Sequence, residues 1–300
     1  MFPMNTSLAR RAREWLGFSS NDLHAWAAPL NDEEWFDAID TAARSPEQGR
    51  ADMPTVPDAG AQLRFTGRSG TENLRQAFAF YQYCLQYVSA HREIGWRDRI
   101  LDFGCGWGRI ARFWLREFKP SQIWCIDCLS DAIELIQATR LPVNILKNDP
   151  LPPVAGLPKR FRLIYAYSVF SHLSEAVALR WIDYFADRLA PGGHLIFTTM
   201  GLEYLAVLRG LRAAPPEDFH QRRTIELAPG QDELEARYAA GEFVFFGTGG
   251  GVETTDDFYG IAMIPEAWLS KLNRNGLEFR SARQDIAGIN QTVAVMQKSA

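Results

Sequence analysis

The chain has 300 residues, with 32 Lys and Arg against 36 Asp and Glu, so its formal net charge is −4. This small acidic excess argues against a general nucleic-acid binder, which usually carries a basic surplus. Hydrophobic residues make up 47% and charged residues 23% of the chain, a globular composition that excludes disorder as the overall class.

The sequence also bears on the cellular compartment. No apolar run reaches the ~20 residues that a membrane helix needs, so no membrane span is predicted. Residues 1–18 contain three Arg but neither an apolar stretch nor a small-residue cleavage site, so they do not resemble a secretory signal. Four Cys in a chain of this length do not make a disulfide scaffold, and a reducing, cytoplasmic location is expected.

Residues 1–92 are predicted to form a helical extension on the substrate side. Asn31 is a candidate N-cap, and Glu34 three residues later would complete a capping box. Residues 45–60 contain three Pro and are predicted as a loop. Apolar residues at helical spacing then predict a second helix over residues 71–91.

From residue 99 onward, short apolar runs alternate with helical stretches. The runs cover residues 100–103, 123–126, 143–146, 163–166 and 195–198, and the helical stretches cover 109–118, 131–139 and 175–189. Strands that alternate with helices predict βαβ units, and therefore a parallel sheet with helices on both faces. The predicted main domain spans residues 93–300.

After the fifth run the pattern becomes irregular. Residues 201–251 contain clusters of Pro and Gly and are predicted as an insertion that covers the ligand edge of the sheet. Two last strands are predicted at residues 257–263 and 292–297. A helix over residues 265–272, with Pro at an early helical position, is expected between them.

The most informative segment joins the first apolar run to the stretch after it. It consists of Asp102, Phe103, Gly104, Cys105, Gly106, Trp107 and Gly108. Glycines allow a sharp turn and a close approach to a ligand, and a following helix would add its N-terminal N–H groups. A dinucleotide fingerprint would require a small residue where Arg109 stands, so a nicotinamide cofactor is not favoured.

The pattern D-x-G-x-G-x-G resembles motif I of the class I S-adenosylmethionine-dependent methyltransferases. Other features follow in that family's order: Asp127 after the second run, a polar pair after the third, residues 168–173 after the fourth, and a Pro-Gly-Gly turn before the fifth. The resemblance covers about residues 99–199. It implies a Rossmann-like, seven-stranded, mostly parallel sheet with an antiparallel last strand, helices on both faces, the helical N-terminal extension and a cap insertion after strand five.

The resemblance implies S-adenosyl-L-methionine as the cofactor. Asp127 would accept hydrogen bonds from the ribose hydroxyls because a carboxylate has two oxygens, while Leu129 would pack on the adenine. The complete implied set is Asp102, Gly104, Cys105, Gly106, Gly108, Asp127, Cys128, Leu129, Asn148, Asp149, Ser168 and Val169. Asp149 precedes Pro150, so an equally good interpretation is that it initiates a turn.

His172 is the candidate general base. It lies in the segment where the acceptor is expected, and imidazole titrates near neutral pH. The alternative is a histidine that caps a helix or shapes the pocket. Tyr167 and Tyr259 would either border the acceptor, steadying the sulfonium by a cation–π contact, or belong to the core.

Other residues admit two interpretations. Arg212, Arg222 and Arg223 would either recognise an anionic acceptor or form a solvated face. Residues 64–67 are a candidate for closing over the cofactor. Residues 124–128 mimic a thioredoxin motif, but the first Cys lies in an apolar run and is expected to be buried, and no metal site is predicted.

The leading hypothesis is methyl transfer to an O or N nucleophile of a small-molecule, glycan or lipid-type acceptor. Two alternatives stay open: another transferase on the same fold, such as an aminopropyltransferase, and a non-catalytic module that only binds S-adenosylmethionine. Aromatic-rich covering segments favour a glycan or secondary metabolite, because aromatic rings stack on other rings. Neither the acceptor's identity nor the oligomeric state follows from the sequence.

Overall fold

The computed structural model describes residues 20–89, 94–214, 216–250 and 253–300. Several predictions therefore fall wholly or partly outside the described residues: the interpretation of residues 1–18, the start of the helical extension and its boundary at residues 92 and 93, the end of the second helix at His91, and the positions of Pro215 and Gly251 in the insertion. Within the described ranges, every helix is too short or too polar to cross a bilayer.

Four α-helices precede the sheet, at Ser20–Ala27 (α1), Asp32–Arg44 (α2), Ala59–Thr66 (α3) and Gly70–Ser89 (α4). The predicted capping box at Asn31 is confirmed, because its Oδ1 accepts the Glu34 N–H at 3.0 Å and Glu34 Oε2 accepts the Asn31 N–H at 2.9 Å. The predicted loop ends earlier than expected. Asp58 caps α3 by accepting the Ala61 N–H at 2.9 Å, so a short helix occupies the end of that stretch.

The central sheet has eight strands in the order β3-β2-β1-β4-β5-β10-β9-β8. They are Ile100–Phe103 (β1), Ile123–Asp127 (β2), Asn144–Lys147 (β3), Phe161–Ala166 (β4), Leu189–Thr199 (β5), Asn273–Arg274 (β8), Leu277–Arg283 (β9) and Thr292–Lys298 (β10). Strands β1 to β5 are parallel, and β10 lies antiparallel between β5 and β9. The predicted Rossmann-like class is confirmed.

The remaining elements are Ser130–Ala138 (α5), Glu175–Arg188 (α6), Leu202–Ala213 (α7), Phe219–Leu227 (α8), Gln231–Ala239 (α9), Val244–Gly247 (β6), Gly260–Met263 (β7) and Glu266–Leu269 (α10). The prediction placed β7 in the central sheet, but it pairs with β6 in a separate two-stranded sheet. The predicted seven strands omitted β9 and the two-residue β8. Most β9 side chains are half-buried or exposed, so its apolar alternation is weak.

The predicted helix over residues 109–118 is also wrong. The structure has turns followed by a 3₁₀-helix at Ala111–Leu115. Residues 107–116 are all buried, so this segment lacks the solvent-facing side of an ordinary amphipathic helix. The glycine loop, defined as residues 102–108, is therefore not followed by an α-helix N-terminus.

Alternate residues of the strands face two cores. Ile100 of β1 packs in a core that includes Trp35 of α2 and Phe80 of α4. Leu101 packs on the opposite face, with Trp181 of α6. The cap insertion has a small core of its own in which α7 and α9 pack against β6 and β7. The sheet is thus covered on both faces, while the domain division at residue 92 stays a prediction.

Candidate active site

A cavity of about 450 Å³ lies at the carboxyl ends of β1, β2 and β4, where open parallel sheets bind their ligands. We call it the main cavity. The structure brings together around it the predicted residues Asp102, Gly104, Cys105, Gly106, Asp127, Cys128, Leu129, Asn148, Ser168, Val169 and His172. Two predicted residues, Gly108 and Asp149, do not line it. The role of each residue toward a ligand stays a prediction.

Gly108 serves the packing behind the loop. Its φ is +76°, and a Cβ there would lie 2.6 Å from Leu141 Cδ2. Asp149 is exposed, and its backbone carbonyl accepts the Asn148 side-chain N–H at 2.7 Å. Of the polar pair after β3, it is therefore Asn148 whose side chain lines the main cavity.

The glycine loop is bound tightly to the end of β2. The N–H groups of Gly104 and Cys105 both donate to the Ile126 carbonyl, at 2.9 and 3.1 Å. Gly104 has a φ of +71°, and a Cβ there would lie only 2.3 Å from Val169 Cγ2. Any side chain at this position would collide with the loop after β4, so the two loops approach at a distance that only glycine allows.

Asp127 holds the same loop through its side chain. Its Oδ2 accepts the Gly106 N–H and its Oδ1 accepts the Leu129 N–H, both at 2.9 Å. Burial raises the pKa of Asp127, and these backbone N–H bonds oppose that rise. Each carboxylate oxygen keeps a second lone pair that a ligand hydroxyl in the cavity can use.

Asp102 is buried at the base of the main cavity. Burial, followed by the nearby Asp127 charge, raises its pKa to about 7. Its Oδ2 atom and the Asn148 Oδ1 atom are buried and accept no hydrogen bond within the described part of the chain. Buried acceptors are rarely left unpaired, so both positions are ready for donors from a ligand.

The loop after β4 has an unusual backbone that is cross-braced. Ser168 has a φ of +59° although it carries a side chain. Its N–H donates to Thr198 Oγ1 at 2.7 Å, and Gln291 Nε2 donates to its Oγ at 3.1 Å. The Thr198 hydroxyl in turn donates to Gln291 Oε1. Strand β5 and the residue just before β10 therefore hold this loop in place.

His172 lies at the far end of that loop and is oriented by a backbone bond. Its Nδ1 lies 2.8 Å from the Gly260 carbonyl oxygen. A carbonyl only accepts, so Nδ1 carries the proton, and Nε2 of the neutral ring keeps a lone pair. The ring stacks on Tyr259, with centroids 5.0 Å apart and planes 13° apart. Burial lowers the pKa of His172, which keeps the ring neutral at pH 7.

Residues 253–259, which we call the roof segment, cover the main cavity through Thr254, Phe258 and Tyr259. At one end, Glu253 Oε1 accepts bonds from Ser130 Oγ at 2.9 Å and Lys147 Nζ at 2.8 Å. At the other end, the Phe258 carbonyl accepts the N–H of Ser174 at 2.9 Å. The predicted interpretation of Tyr259 as a cavity residue thus agrees with its position.

Sequence reasoning missed a polar network that joins α4 to the segment just before β10. Arg109 Nη1 donates to Gln76 Oε1 at 2.8 Å, and Gln76 Nε2 donates to Asn290 Oδ1 at 2.8 Å. The Arg109 guanidinium also lies 5.1 Å from the centre of the Tyr167 ring. All four residues line the main cavity. The Gln76–Asn290 pair is 214 positions apart, so no local pattern could have indicated it.

Two other predicted features are placed by the structure. Phe65 and Thr66, from the stretch 64–67, line the main cavity together with Arg68. Cys125 is buried, as expected, and burial raises its thiol pKa. Burial also raises the pKa of Cys128 to about 12. A reactive thiol requires a lowered pKa, so the thioredoxin-like spacing does not create a redox pair.

A family model described as a methyltransferase domain matches residues 101–195, which contain the glycine loop, Asp127 and the loop after β4. This matched segment, which is less than half of the chain, is therefore similar to methyltransferase domains. The similarity indicates S-adenosylmethionine as the cofactor.

The chain is also similar to one curated protein and to several solved structures. It is 34% identical to the biotin biosynthesis bifunctional protein BioCD of Bordetella avium over 134 residues. The aligned segment covers 40% of this chain and 27% of that protein. The chain thus spans about a quarter of the curated relative it matches. Among solved structures, it is similar to CalS10, an amino pentose methyltransferase from Micromonospora echinaspora, with 16% identity, a TM-score of 0.48, and 80% and 96% of the two chains covered. It is also similar to the sugar N-methyltransferase KedS8 from Streptoalloteichus, with 12% identity, a TM-score of 0.49, and 82% and 94% covered.

The residues of the main cavity fit S-adenosylmethionine. The cofactor carries an ammonium group and an adenine amino group, which are donors for unpartnered acceptors such as Asp102 Oδ2 and Asn148 Oδ1. It also carries two ribose hydroxyls, and the Asp127 oxygens have lone pairs to receive them.

Proposed function

We propose that the protein transfers a methyl group from S-adenosylmethionine to an oxygen or nitrogen atom of a small polar acceptor. The observation that carries this proposal is the position of His172 in the same cavity as the glycine loop and Asp127. A cofactor module alone would not require an oriented, neutral imidazole beside its ligand.

The cytoplasm is the proposed location, and residues 1–92 are the proposed substrate-side extension.

Three polar groups would hold the cofactor. Asp127 would bind the ribose hydroxyls, Asn148 the adenine amino group and Asp102 the methionine ammonium. Burial raises the pKa of the Asp102 carboxyl to about 7. A cation placed beside it would favour the ionised form, so cofactor binding and proton release from Asp102 should be coupled.

Bound S-adenosylmethionine supplies a methyl group on a positively charged sulfur. The protein must therefore align the acceptor atom and take up its proton. His172 is suited to the second task because its Nδ1–H donates to the Gly260 carbonyl and leaves Nε2 as the acceptor. Burial lowers its pKa, so the ring is ready to accept a proton at neutral pH.

The lining of the main cavity indicates a polar acceptor. The amide side chains of Gln76, Asn290 and Gln291 lie on one side, and the aromatic rings of Phe258 and Tyr259 belong to the roof segment. Amides offer both donors and acceptors to hydroxyl groups, and aromatic rings pack on the faces of other rings. We therefore place a sugar or a similar small polar metabolite ahead of a lipid-type acceptor.

Calorimetry with S-adenosylhomocysteine tests the cofactor half of the proposal. Asp127→Ala should abolish binding, because it removes the ribose acceptor and the partner of two loop N–H groups. Asp149→Ala is the matched control, since this neighbouring acid is exposed and lies outside the cavity. Preference of the wild type for NAD, or equal binding by both variants, would refute the assignment.

Turnover needs a separate measurement. Protein incubated with radiolabelled donor and fractionated cell extract should label a small-molecule or glycan fraction. Label confined to protein or nucleic acid would contradict the proposed acceptor class. Tight S-adenosylhomocysteine binding without label in any fraction would instead favour a non-catalytic binding module.

A further inference from the structure

A second cavity of about 460 Å³ lies beside the main one, and we call it the outer cavity. Its lining consists of Phe219, His220, Arg223, Thr248, Gly249, Gly250, Thr254, Thr255 and Asp256. Thr254 is buried and lines both cavities. The two cavities are therefore adjacent at Thr254. Most of the outer lining comes from the cap insertion, whose role the fold alone does not explain.

The outer cavity presents an aromatic surface and two opposite charges. The Phe219 ring is 64% exposed at the start of α8. The Arg223 Nε donates to the Thr248 carbonyl at 3.0 Å, which holds the guanidinium while its Nη groups form no bond within the described residues. Asp256, also in the lining, forms no ion pair with any described residue. Large exposed aromatic rings and unpaired charges around a concavity are typical of a binding surface.

The geometry argues against an anion as the ligand. The N–H groups of Thr248, Gly249 and Gly250 are all used, donating to the carbonyls of Tyr259 and Thr254 at 2.8 to 3.2 Å. At the start of α8, the Gln221 N–H is also used, because Asp218 accepts it at 2.8 Å. These four N–H groups are therefore not available to a phosphate, and the Asp256 carboxylate would repel one.

A neutral sugar ring matches this lining better. Its hydroxyl groups can accept from the Arg223 Nη groups and donate to the Asp256 carboxylate at the same time. Its C–H face can pack on an exposed aromatic ring such as Phe219, which offers apolar area with little loss of conformational freedom. A lipid chain would leave both charges unsatisfied and desolvated, which is unfavourable.

We propose that the outer cavity is a sugar subsite, which binds the ring next to the methylated one in an acceptor of at least two rings. The inference rests on the proposed function, since it takes the main cavity as the place of methyl transfer. It makes the cap insertion a determinant of acceptor length: the main cavity holds the reacting unit, and Phe219, Arg223 and Asp256 hold its neighbour.

A glycan array of mono-, di- and trisaccharides, probed with labelled protein saturated with S-adenosylhomocysteine, tests the subsite. The wild type should bind one or more di- or trisaccharides at least about tenfold more tightly than the matching monosaccharide. Phe219→Ala and Asp256→Asn should each reduce that preference by about tenfold. Leu227→Ala is the matched control, because this residue is 42% exposed on the same helix but outside the cavity.

Three outcomes would overturn the subsite: no saccharide bound by the wild type, an unchanged length preference in Phe219→Ala, or displacement by inorganic phosphate that is lost in Arg223→Ala. The last result would show an anion site instead. Calorimetry with S-adenosylhomocysteine should give the same affinity for the wild type and all four variants. Loss of that affinity in the wild type would refute the proposed function itself, so the two failures are distinguishable.

Discussion

The two sides of the main cavity are held by different kinds of contact. The glycine loop is bound by backbone bonds to Ile126 and by the Asp127 carboxylate, all within about two dozen positions of sequence. The roof segment is held by bonds that reach across the chain, such as Glu253 to Lys147 and Phe258 to Ser174. The side held by short-range contacts should tolerate little change, whereas the side held by long-range contacts can vary with the acceptor.

The largest effect is expected on the short-range side, from Gly104→Ala. The added Cβ would lie 2.3 Å from Val169 Cγ2 in a backbone with φ +71°. Both the clash and the left-handed conformation are unfavourable, so we expect a loss of several kcal/mol of folding stability. Binding of S-adenosylhomocysteine should be lost as well.

Gly156→Ala separates the two causes. Gly156 also has a positive φ, +77°, but a Cβ there would meet nothing within 4 Å. Thermal unfolding of this control should show only the conformational cost of about 1 kcal/mol, with cofactor affinity retained. Equal melting temperatures for the two variants would contradict the close contact between the glycine loop and Val169.

His172→Gln tests the chemical step where the two sides meet. Turnover at pH 7 should fall by about 10²–10³-fold if the imidazole accepts the acceptor's proton. Cofactor affinity should be unchanged, because the proposed role of His172 is to accept a proton from the acceptor and not to bind the cofactor. Radiolabel transfer measured beside calorimetry gives both values, and a variant with wild-type turnover across pH would remove His172 from the base role.

The pH dependence of the wild type has a definite sign. Burial lowers the pKa of His172 below its ordinary value of 6.5, so the neutral ring persists to lower pH than in free histidine. With saturating S-adenosylmethionine, which would keep Asp102 ionised, turnover should therefore hold through neutral pH and fall only as the pH drops through that lowered pKa. An acidic limb at or above pH 6.5 would contradict this environment.

Gln291→Ala should have an intermediate effect, because it removes the brace of the loop after β4. Ser168 would lose the bond to its hydroxyl, and Thr198 would lose the acceptor of its own. We expect kcat to fall by about tenfold, with little change in the cofactor KM. A fall of this size corresponds to the free energy of one or two lost hydrogen bonds. Gln297→Ala is the control, because Gln297 lies in β10, which begins directly after Gln291, and its side chain bonds the exposed Arg280. A fall in cofactor affinity alone would show that Gln291 does not act through the loop.

What could be predicted from the sequence follows the same division. The glycine loop, Asp127 and Asn148 are marked by local patterns, because each ends a strand whose apolar run is visible. Gln76, Asn290 and the roof residue Thr254 are brought in by tertiary contacts and have no local signal. Strand β9 was not predicted because its side chains are largely half-buried, so its apolar pattern is weak. Strand β7 was predicted in the wrong sheet because a short apolar run does not specify which strand it pairs with.

Glu253→Gln should give the smallest effect, on the long-range side. It weakens the contact of the roof segment with the half-buried Ser130 and the ion pair with Lys147, which is exposed and therefore screened by water and salt. Affinity for S-adenosylhomocysteine should change less than about threefold, and the difference should shrink as salt is added. Asp187→Asn, which removes the exposed partner of Lys159, is a matched control away from the cavity. A salt-independent loss of tenfold or more in affinity for S-adenosylhomocysteine would show that the roof segment is as tightly coupled to the cofactor as the glycine loop. That result would contradict the proposed difference between the two sides of the main cavity.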